Sequence, residues 1–322
     1  MINSEVQKQI DYIKDRCKDI KPLVVIRSIT YNHEPYLKDA LEGFVMQNAN
    51  FPFVAIVHDD ASTDGTAKVL REYAEKYPDI IFPIFEEENQ YSKRDGSLSK
   101  IMNEASFATG AKYVAICEGD DYWTEPNKLQ KQIDFLESHP DFSLCFHNVN
   151  VKDVNSVISN GVSTISRTGQ YFPEEIIRHW VIPTASVIIR NTKKIFENPL
   201  RYNPNFKFGD NVLFLTASIH GKMYGFADIM GVYRKIPTGA TIKDGYYKWN
   251  QTNIVHYRGL KKNFKSIVKT KVFNEVISEF YLYLIRYNKG HKIKLLKTFL
   301  QGFRDARVSF LILLYKTWFK IK

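Results

Sequence analysis

The chain has 322 residues, of which 44% are hydrophobic, 14% aromatic and 25% charged. That profile excludes disordered, collagen-like and coiled-coil classes and leaves room for one large domain, or one domain plus an appendage. The net charge of +10 is uneven: residues 258–322 hold 16 Lys and Arg against three acids, a net of +13, and residues 1–257 carry −3.

The first 21 residues are polar and amphipathic and predict a helix; they have no apolar signal core, so a cleaved secretion signal is not expected. No run of 18 apolar residues occurs, so no transmembrane span is expected. Cys17, Cys117 and Cys145 are widely spaced and read as reduced thiols rather than a disulfide framework or a zinc site. Residues 23–31 (LVVIRSITY) predict a buried strand. Pro35 opens a helix to about residue 48, with Leu37, Leu41, Phe44 and Val45 at helical spacing. Residues 53–58 (FVAIVH) predict a second strand, ending in the loop Asp59-Asp60-Ala61-Ser62-Thr63-Asp64-Gly65. A helix with Ala67, Leu70, Tyr73 and Ala74 on one face runs until Pro78. A strand over 80–85, a polar loop over 86–99 and a helix ending at Gly110 follow. Residues 112–117 (KYVAIC) form a fourth strand that ends in Glu118-Gly119-Asp120-Asp121, and Pro126 opens a helix to about residue 138. Two or more strands are expected over 142–170, one over 184–190 and one over 223–233. A helix over 210–220 is capped by Gly221, and from about 245 the pattern is helical and basic. Strands alternating with helices imply an α/β fold with a mostly parallel sheet and right-handed crossovers.

Open α/β sheets bind ligands outside the carboxyl ends of their strands. Two such ends here are acidic: Asp59 with Asp60, and Glu118 with Asp120 and Asp121. Clustered carboxylates repel one another and make sense around a hard divalent cation, Mg²⁺ or Mn²⁺, that shares phosphate oxygens. A metal beside Asp121 would neutralise charge on a bound diphosphate. An Asp at a strand end also accepts a hydrogen bond from the imide of uracil or the edge of guanine. Singly, each cluster is as well explained by helix caps and solvated turns; together on consecutive units of one sheet they point to a site. No Gly-x-Gly-x-x-Gly follows a strand and no Gly-x-x-x-x-Gly-Lys-Ser/Thr occurs, so neither a Rossmann dehydrogenase nor a P-loop NTPase is supported.

Four blocks then carry a resemblance. They are Thr30-Tyr31-Asn32-His33-Glu34-Pro35-Tyr36, then 58–66 (HDDASTDGT), then Cys117-Glu118-Gly119-Asp120-Asp121-Tyr122-Trp123, and Phe208-Gly209-Asp210 with Gly231-Val232-Tyr233-Arg234. In order and spacing, over residues 22–235, the chain resembles the inverting family-2 glycosyltransferases of the GT-A fold, especially bacterial surface-polysaccharide members. The resemblance implies a nucleotide-diphospho-sugar transferase domain over 22–240, between an N-terminal helix (1–21) and a helical basic region (241–322). It implies that Tyr31 flanks the nucleobase, that Asn32 also binds the donor nucleotide, and that Asp60 contacts the base. Glu118 and Asp120 would hold the donor nucleotide, Asp120 nearer the ribose, and Asp121 with Asp120 would bind Mn²⁺ or Mg²⁺. Asp210 would be the general base, or a helix N-cap, or both. Trp123 reads either as an aromatic platform for the acceptor sugar or as core, and His147 either as a lining of the acceptor cleft or as a structural histidine.

Three departures accompany the match: Glu118 where many relatives have Asp, Ile236 where many have His, and Met102 where an Arg often precedes the Asn. Lys93, Arg94 and Lys100 are the remaining candidates for donor phosphate contacts. The implied reaction moves a hexose from a nucleotide-sugar, UDP-linked by expectation, to a saccharide or lipid-linked saccharide with inversion. Two alternatives stay open. A nucleotidyltransferase would need a Gly-rich loop after the first strand, which residues 30–35 lack; an inactive nucleotide-sugar-binding scaffold would not need the acids.

In the tail, residues 308–315 are apolar on nearly all faces, flanked by Arg304, Arg307, Lys316, Lys320 and Lys322, with Tyr315, Trp318 and Phe319 at the end. Such a segment suits the headgroup layer of an anionic bilayer, where each Lys or Arg adds about 1 kcal/mol. The expected place is the cytoplasm, peripheral on the inner face of the plasma membrane; the alternative is a helix packed on the body. No nucleic-acid motif accompanies the charge.

Overall fold

The computed structural model describes residues 2–153, 165–203, 206–236, 245–288 and 292–319. Helix α1 (Ser4–Ile20) starts where the Asn3 side chain accepts the Val6 N–H at 2.7 Å, and it buries Val6, Ile10, Ile13 and Cys17 along one stripe. Then come β1 (Val24–Thr30), α2 (Glu34–Val45) with Pro35 in its first turn, β2 (Phe53–Asp59), α3 (Thr66–Lys76) and β3 (Ile81–Phe85). The expected polar loop over 86–99 contains a one-turn helix, α4 (Gln90–Lys93), and the start of α5 (Ser97–Ala108). β4 (Tyr113–Ile116), β5 (Tyr122–Trp123), α6 (Lys128–Ser138), β6 (Phe142–Asp153), β7 (Gly169–Tyr171) and α7 (Pro173–Arg178) follow. After β8 (Ile188–Arg190), α8 (Lys193–Phe196), α9 (Gly209–Ile219) and β9 (Lys222–Lys235), the chain is helical: α10 (Tyr246–Phe264), α11 (Thr270–Tyr287) and α12 (Lys292–Phe319). Residues 154–164 of the strand-rich stretch lie outside the described residues.

The nine strands form one sheet in the order β3-β2-β1-β4-β8-β6-β9-β5, with β7 paired to β9. β3, β2, β1 and β4 run parallel, as do β6 and β9. The antiparallel pairings are made by the short strands β5, β7 and β8. β1, β2 and β4 are buried almost throughout, as parallel strands covered on both faces must be. The strand expected over 184–190 is only half strand. Thr184–Ser186 is a 3₁₀ turn, because Pro183 and the Ser186 hydroxyl, which donates to the Pro183 carbonyl at 2.6 Å, offer the backbone a local alternative.

The chain divides into two compact units. The first comprises Met1–Tyr171, Val181–Asn203 and Thr216–Ile236 and contains the sheet. The second comprises Phe172–Trp180, Pro204–Leu215 and Pro237–Lys322. Within the second, α11 buries Val272, Phe273, Val276, Ile277, Tyr281 and Leu284, and Arg258 pairs with Asp305. α12 is broken at Arg307 (φ 48°, ψ −122°). Phe310 packs on Phe299 at 5.6 Å, and a Cβ on Gly302 would come within 2.7 Å of its ring. Residues eight apart in a straight helix are separated by about 12 Å, so the two halves of α12 fold back on each other.

Candidate active site

The carboxyl ends of β1, β2 and β4 are stitched together by short polar side chains. Asn32, at the left-handed φ of 53°, follows β1; its N–H donates to Ser62 Oγ at 2.9 Å and its Oδ1 accepts the Thr63 N–H at 2.8 Å. The end of β1 is thereby tied to the loop after β2. Tyr31 beside it is 44% exposed. After β4, the Gly119 N–H donates to the Ile29 carbonyl at 2.9 Å. A Cβ on Gly119 would lie 2.8 Å from Thr30 Oγ1 and 3.2 Å from His33 Nδ1, so only glycine lets the 118–121 turn rest against the end of β1.

Asp120 is half-buried and Asp121 buried. The Asp121 Oδ1 accepts the backbone N–H of Arg234 at 2.7 Å. The Arg234 guanidinium donates to the Asp120 carbonyl at 3.0 Å, pairs with Asp39, and packs over the rings of Tyr122 and Tyr36 at 4.2 and 5.4 Å. Burial, then the neighbouring Asp120 carboxylate, pushes the Asp121 carboxyl well above the usual range. A hard cation at this point would offset both effects. Among the described residues no three His, Cys, Asp or Glu side chains converge on one point. Asp120 and Asp121 are two hard carboxylates, a chemistry that would suit a Mg²⁺ or Mn²⁺ taking its remaining ligands from phosphate and water. Glu118 is half-buried on the same turn. Ile236 is buried.

Asp60 is different. Its side chain is buried, and its two carboxylate oxygens accept the N–H groups of Gln90 and Tyr91 at 2.7 and 3.0 Å, the start of α4. Its carbonyl accepts from Asn89 at 3.0 Å. The Asp60 carboxylate thus caps the 89–91 backbone, and each of its oxygens keeps a lone pair with which it could also accept from a nucleobase. Asp59 next to it accepts from the Ser62 hydroxyl, and burial pushes its carboxyl up.

Two expected acceptor residues are core. Trp123 is 2% exposed, donates Nε1–H to the Ala185 carbonyl at 2.6 Å and packs edge-on to Phe44 at 5.2 Å. His147 is fully buried with Nδ1 2.7 Å from the Asn148 carbonyl, and burial pulls it down to about 3. His147 lies in the stretch 142–149 of β6, which is buried on both faces, so its ring is enclosed whichever face it takes. Arg190 is structural too: it donates to the Leu136 and Phe142 carbonyls at 2.7 Å each. Asp210 belongs to the second unit, where it is half-buried in the first turn of α9 and accepts the Asn211 N–H at 2.7 Å.

Arg234 stands in one of the four blocks, but spacing alone says nothing of its grip on Asp120 and Asp121. No sequence signal marked Lys128, which is fully buried with its Nζ 3.7 Å from the centre of the Trp123 ring. Burial pulls its amine down to about 7. A cavity of about 760 Å³ is lined by Glu86, Gln90, Lys93, Lys100, Asn103 and Glu104; it brings two of the three expected phosphate-binding cations together, but not with Asp120 or Asp121.

A family model, glycosyl transferase family 2, matches residues 26–216. An uncharacterized protein of Mycobacterium tuberculosis is 34% identical over 210 residues, 65% of this chain and 58% of that protein. The chain thus spans little more than half the length of this relative. Bacillus subtilis TuaG, whose name places it in teichuronic acid biosynthesis, is 33% identical over 116 residues, 36% of this chain and 42% of its own. The crystal structure of S. aureus TarS 1–349 with UDP-GlcNAc superposes with a TM-score of 0.60 at 16% identity, covering 88% of this chain and 81% of that one, which is a likeness of fold. With the family model covering more than half of its length and the strand order of a GT-A sheet behind the Asp120–Asp121 turn, the chain belongs to glycosyl transferase family 2.

Proposed function

We propose that this family-2 glycosyltransferase is an inverting, metal-dependent hexosyltransferase. The donor is a nucleotide-sugar, UDP-linked, and the acceptor a saccharide or lipid-linked saccharide of bacterial surface polysaccharide. The observation that carries the reading is the Asp120–Asp121 pair: one carboxylate half-open, the other buried and held by Arg234, on a turn laid against the end of β1. A buried carboxylate with a second carboxylate beside it costs stability unless a ligand offsets their charge. The names of TuaG and of the TarS complex with UDP-GlcNAc support the pathway and the nucleotide.

In this reading Tyr31 offers an exposed ring to the nucleobase, while Asn32 holds the β1 turn to the Ser62–Thr63 loop. Asp120 accepts a ribose hydroxyl, with Glu118 beside it, and Asp121 with Asp120 would hold the cation. That cation, when bound, neutralises the charge growing on the diphosphate leaving group. Asp210 takes the proton of the acceptor hydroxyl as its oxygen attacks the anomeric carbon. The bond from that carbon to the diphosphate oxygen breaks, the nucleoside diphosphate departs, and in-line attack inverts the configuration. Calorimetry with UDP and GDP, each with Mn²⁺ and with EDTA, tests the donor site. Metal-dependent UDP binding that Asp121→Asn abolishes is expected. A GDP preference changes the donor; binding of neither nucleotide sinks the transferase reading in favour of an inactive scaffold.

A second observation supports a membrane surface as partner. Ten of the eighteen exposed large apolar side chains among the described residues fall between Tyr283 and Tyr315. Leu296, Leu300 and Phe303 line the first half of α12, and Val308, Leu311, Ile312 and Tyr315 the second, at helical spacing. Exposed Lys294, Lys297, Arg304, Arg307 and Lys316 accompany them. No helix of the described residues is long and apolar enough to cross a bilayer, so the fitting occupant is an anionic lipid surface met from one side. The chain should sediment with phosphatidylglycerol vesicles and not with phosphatidylcholine alone, and Leu311→Glu with Ile312→Glu should release it. A chain that stays in the supernatant with both vesicle types ends this reading.

A further inference from the structure

The segment that carries Asp210 packs against a helix outside the matched family region, which ends at residue 216. Trp249, Asn253, His256 and Leu260 are spaced by four, three and four residues and so share one stripe of α10. Phe208, two residues before Asp210, meets Trp249 at 5.3 Å (62°) and His256 at 4.9 Å (84°). Phe206 meets the same His256 edge-on at 5.6 Å (86°). A Cβ on Gly259 would come within 2.8 Å of the Phe206 ring, so glycine is what lets that ring close onto the helix. The His256 ring is fully buried, and neither of its nitrogens finds a partner among the described residues. Burial pulls it down to about 4, so it is a neutral aromatic plate at physiological pH. Burial, then the Asp210 and Glu279 carboxylates, pushes the adjacent Tyr257 hydroxyl up to about 12, which brings Asp210 into the electrostatic environment of the same helix.

We propose that α10 is part of the catalytic apparatus: Trp249, His256 and Gly259 form a seat for Phe206 and Phe208 and thereby set the position of Asp210. The proposal rests on the reading of Asp210 as the general base. All three are positioning residues, and His256 works through ring shape, not through its nitrogens. The basic C-terminal region then supplies part of the enzyme's chemistry as well as its charge.

Hydrogen–deuterium exchange on the full chain reads the seat, and UDP release from UDP-glucose, UDP-galactose and UDP-N-acetylglucosamine reads its consequence. His256→Ala and Gly259→Ala should speed exchange of amides 209–215, lower turnover by about tenfold to a hundredfold, and leave UDP affinity within about twofold. His256→Phe should keep wild-type exchange and turnover. Unchanged exchange over 209–215 in both His256→Ala and Gly259→Ala overturns the proposal. So does a loss of UDP affinity that matches the loss of turnover, and so does His256→Phe behaving like His256→Ala. Asp210→Asn separates the two readings: full turnover there removes the base assignment, while the exchange in Gly259→Ala still decides the seat.

Discussion

Asp60, after β2, and Asp121, after β4, carry the same carboxylate in sequence and sit in different environments in the fold. At the end of β2 the Asp60 carboxylate is buried but satisfied, with a backbone N–H on each oxygen. At the end of β4 the Asp121 carboxylate is buried beside a second carboxylate, and its pKa rises. Both positions read as ligand sites in the one-dimensional pattern, because an Asp pair after a strand has no mark of its hydrogen-bond partners. The difference teaches that equal burial can have unequal cost: Asp60 has a backbone N–H on each oxygen, whereas Asp121 has the Arg234 N–H and a second carboxylate beside it.

The largest expected break in that comparison is Asp121→Asn. The amide oxygen still accepts the Arg234 N–H, so the fold survives. A group whose carboxyl is raised above its unfolded value weakens the fold at pH above the unfolded pKa. The metal-free variant should therefore melt at or above the wild-type Tm at pH 7, while turnover falls by about a thousandfold through lost charge stabilisation. A fall in Tm together with retained turnover would reverse the assignment of Asp121.

Next in size is Arg234→Ala. It strips the Asp120 carbonyl and Asp39 of a guanidinium that is itself only 8% exposed. Asp39 is half open to water, so the stability loss is about 2 kcal/mol and not the larger figure of a fully buried pair. UDP binding should weaken with it. Arg234→Lys should restore little, because one ammonium cannot reach both oxygens and stack on Tyr122.

Asp60→Ala comes third. It leaves the Gln90 and Tyr91 N–H groups without an acceptor and should lower stability by about 1–2 kcal/mol, with Asp60→Asn recovering part. Metal dependence of UDP binding should be unchanged. If Asp60→Ala instead abolished UDP binding at full stability, the two strand ends would have the same role after all.

The last test concerns Lys128, whose amine is pulled from 10.5 to about 7. Between these values the unfolded chain binds the proton and the folded chain does not, so stability rises with pH across about 7 to 10. Lys128→Met should raise Tm most at pH 7 and progressively less toward pH 10. A constant difference across that range would show that Lys128 is not desolvated.

Much of the first unit was legible in sequence. The apolar runs before 31, 59 and 117 sit between turn residues and are buried on both faces, so pattern alone predicts β1, β2 and β4 and their parallel pairing. The four motif blocks likewise predict where Asp120, Asp121 and Asp210 lie in the chain. Short elements were not legible: β5, α4 and the 3₁₀ turn at 184–186 are two to four residues long, too short to show a period. Nor were the fates of Trp123 and His147, since an aromatic near a motif looks the same whether its ring faces ligand or core.

Residue order is enough to fix the succession of elements, the acidic strand ends and the basic tail, because these follow from local periodicity and from charges that add along the chain. The tertiary structure alone decided which carboxylate is satisfied, that Arg234 reaches Asp120 and Asp121 from 113 residues away, and that α10 receives the Asp210 segment. Burial and hydrogen-bond partnership depend on atoms brought together across long stretches of chain. No window of sequence contains both partners, so only the folded molecule can report them.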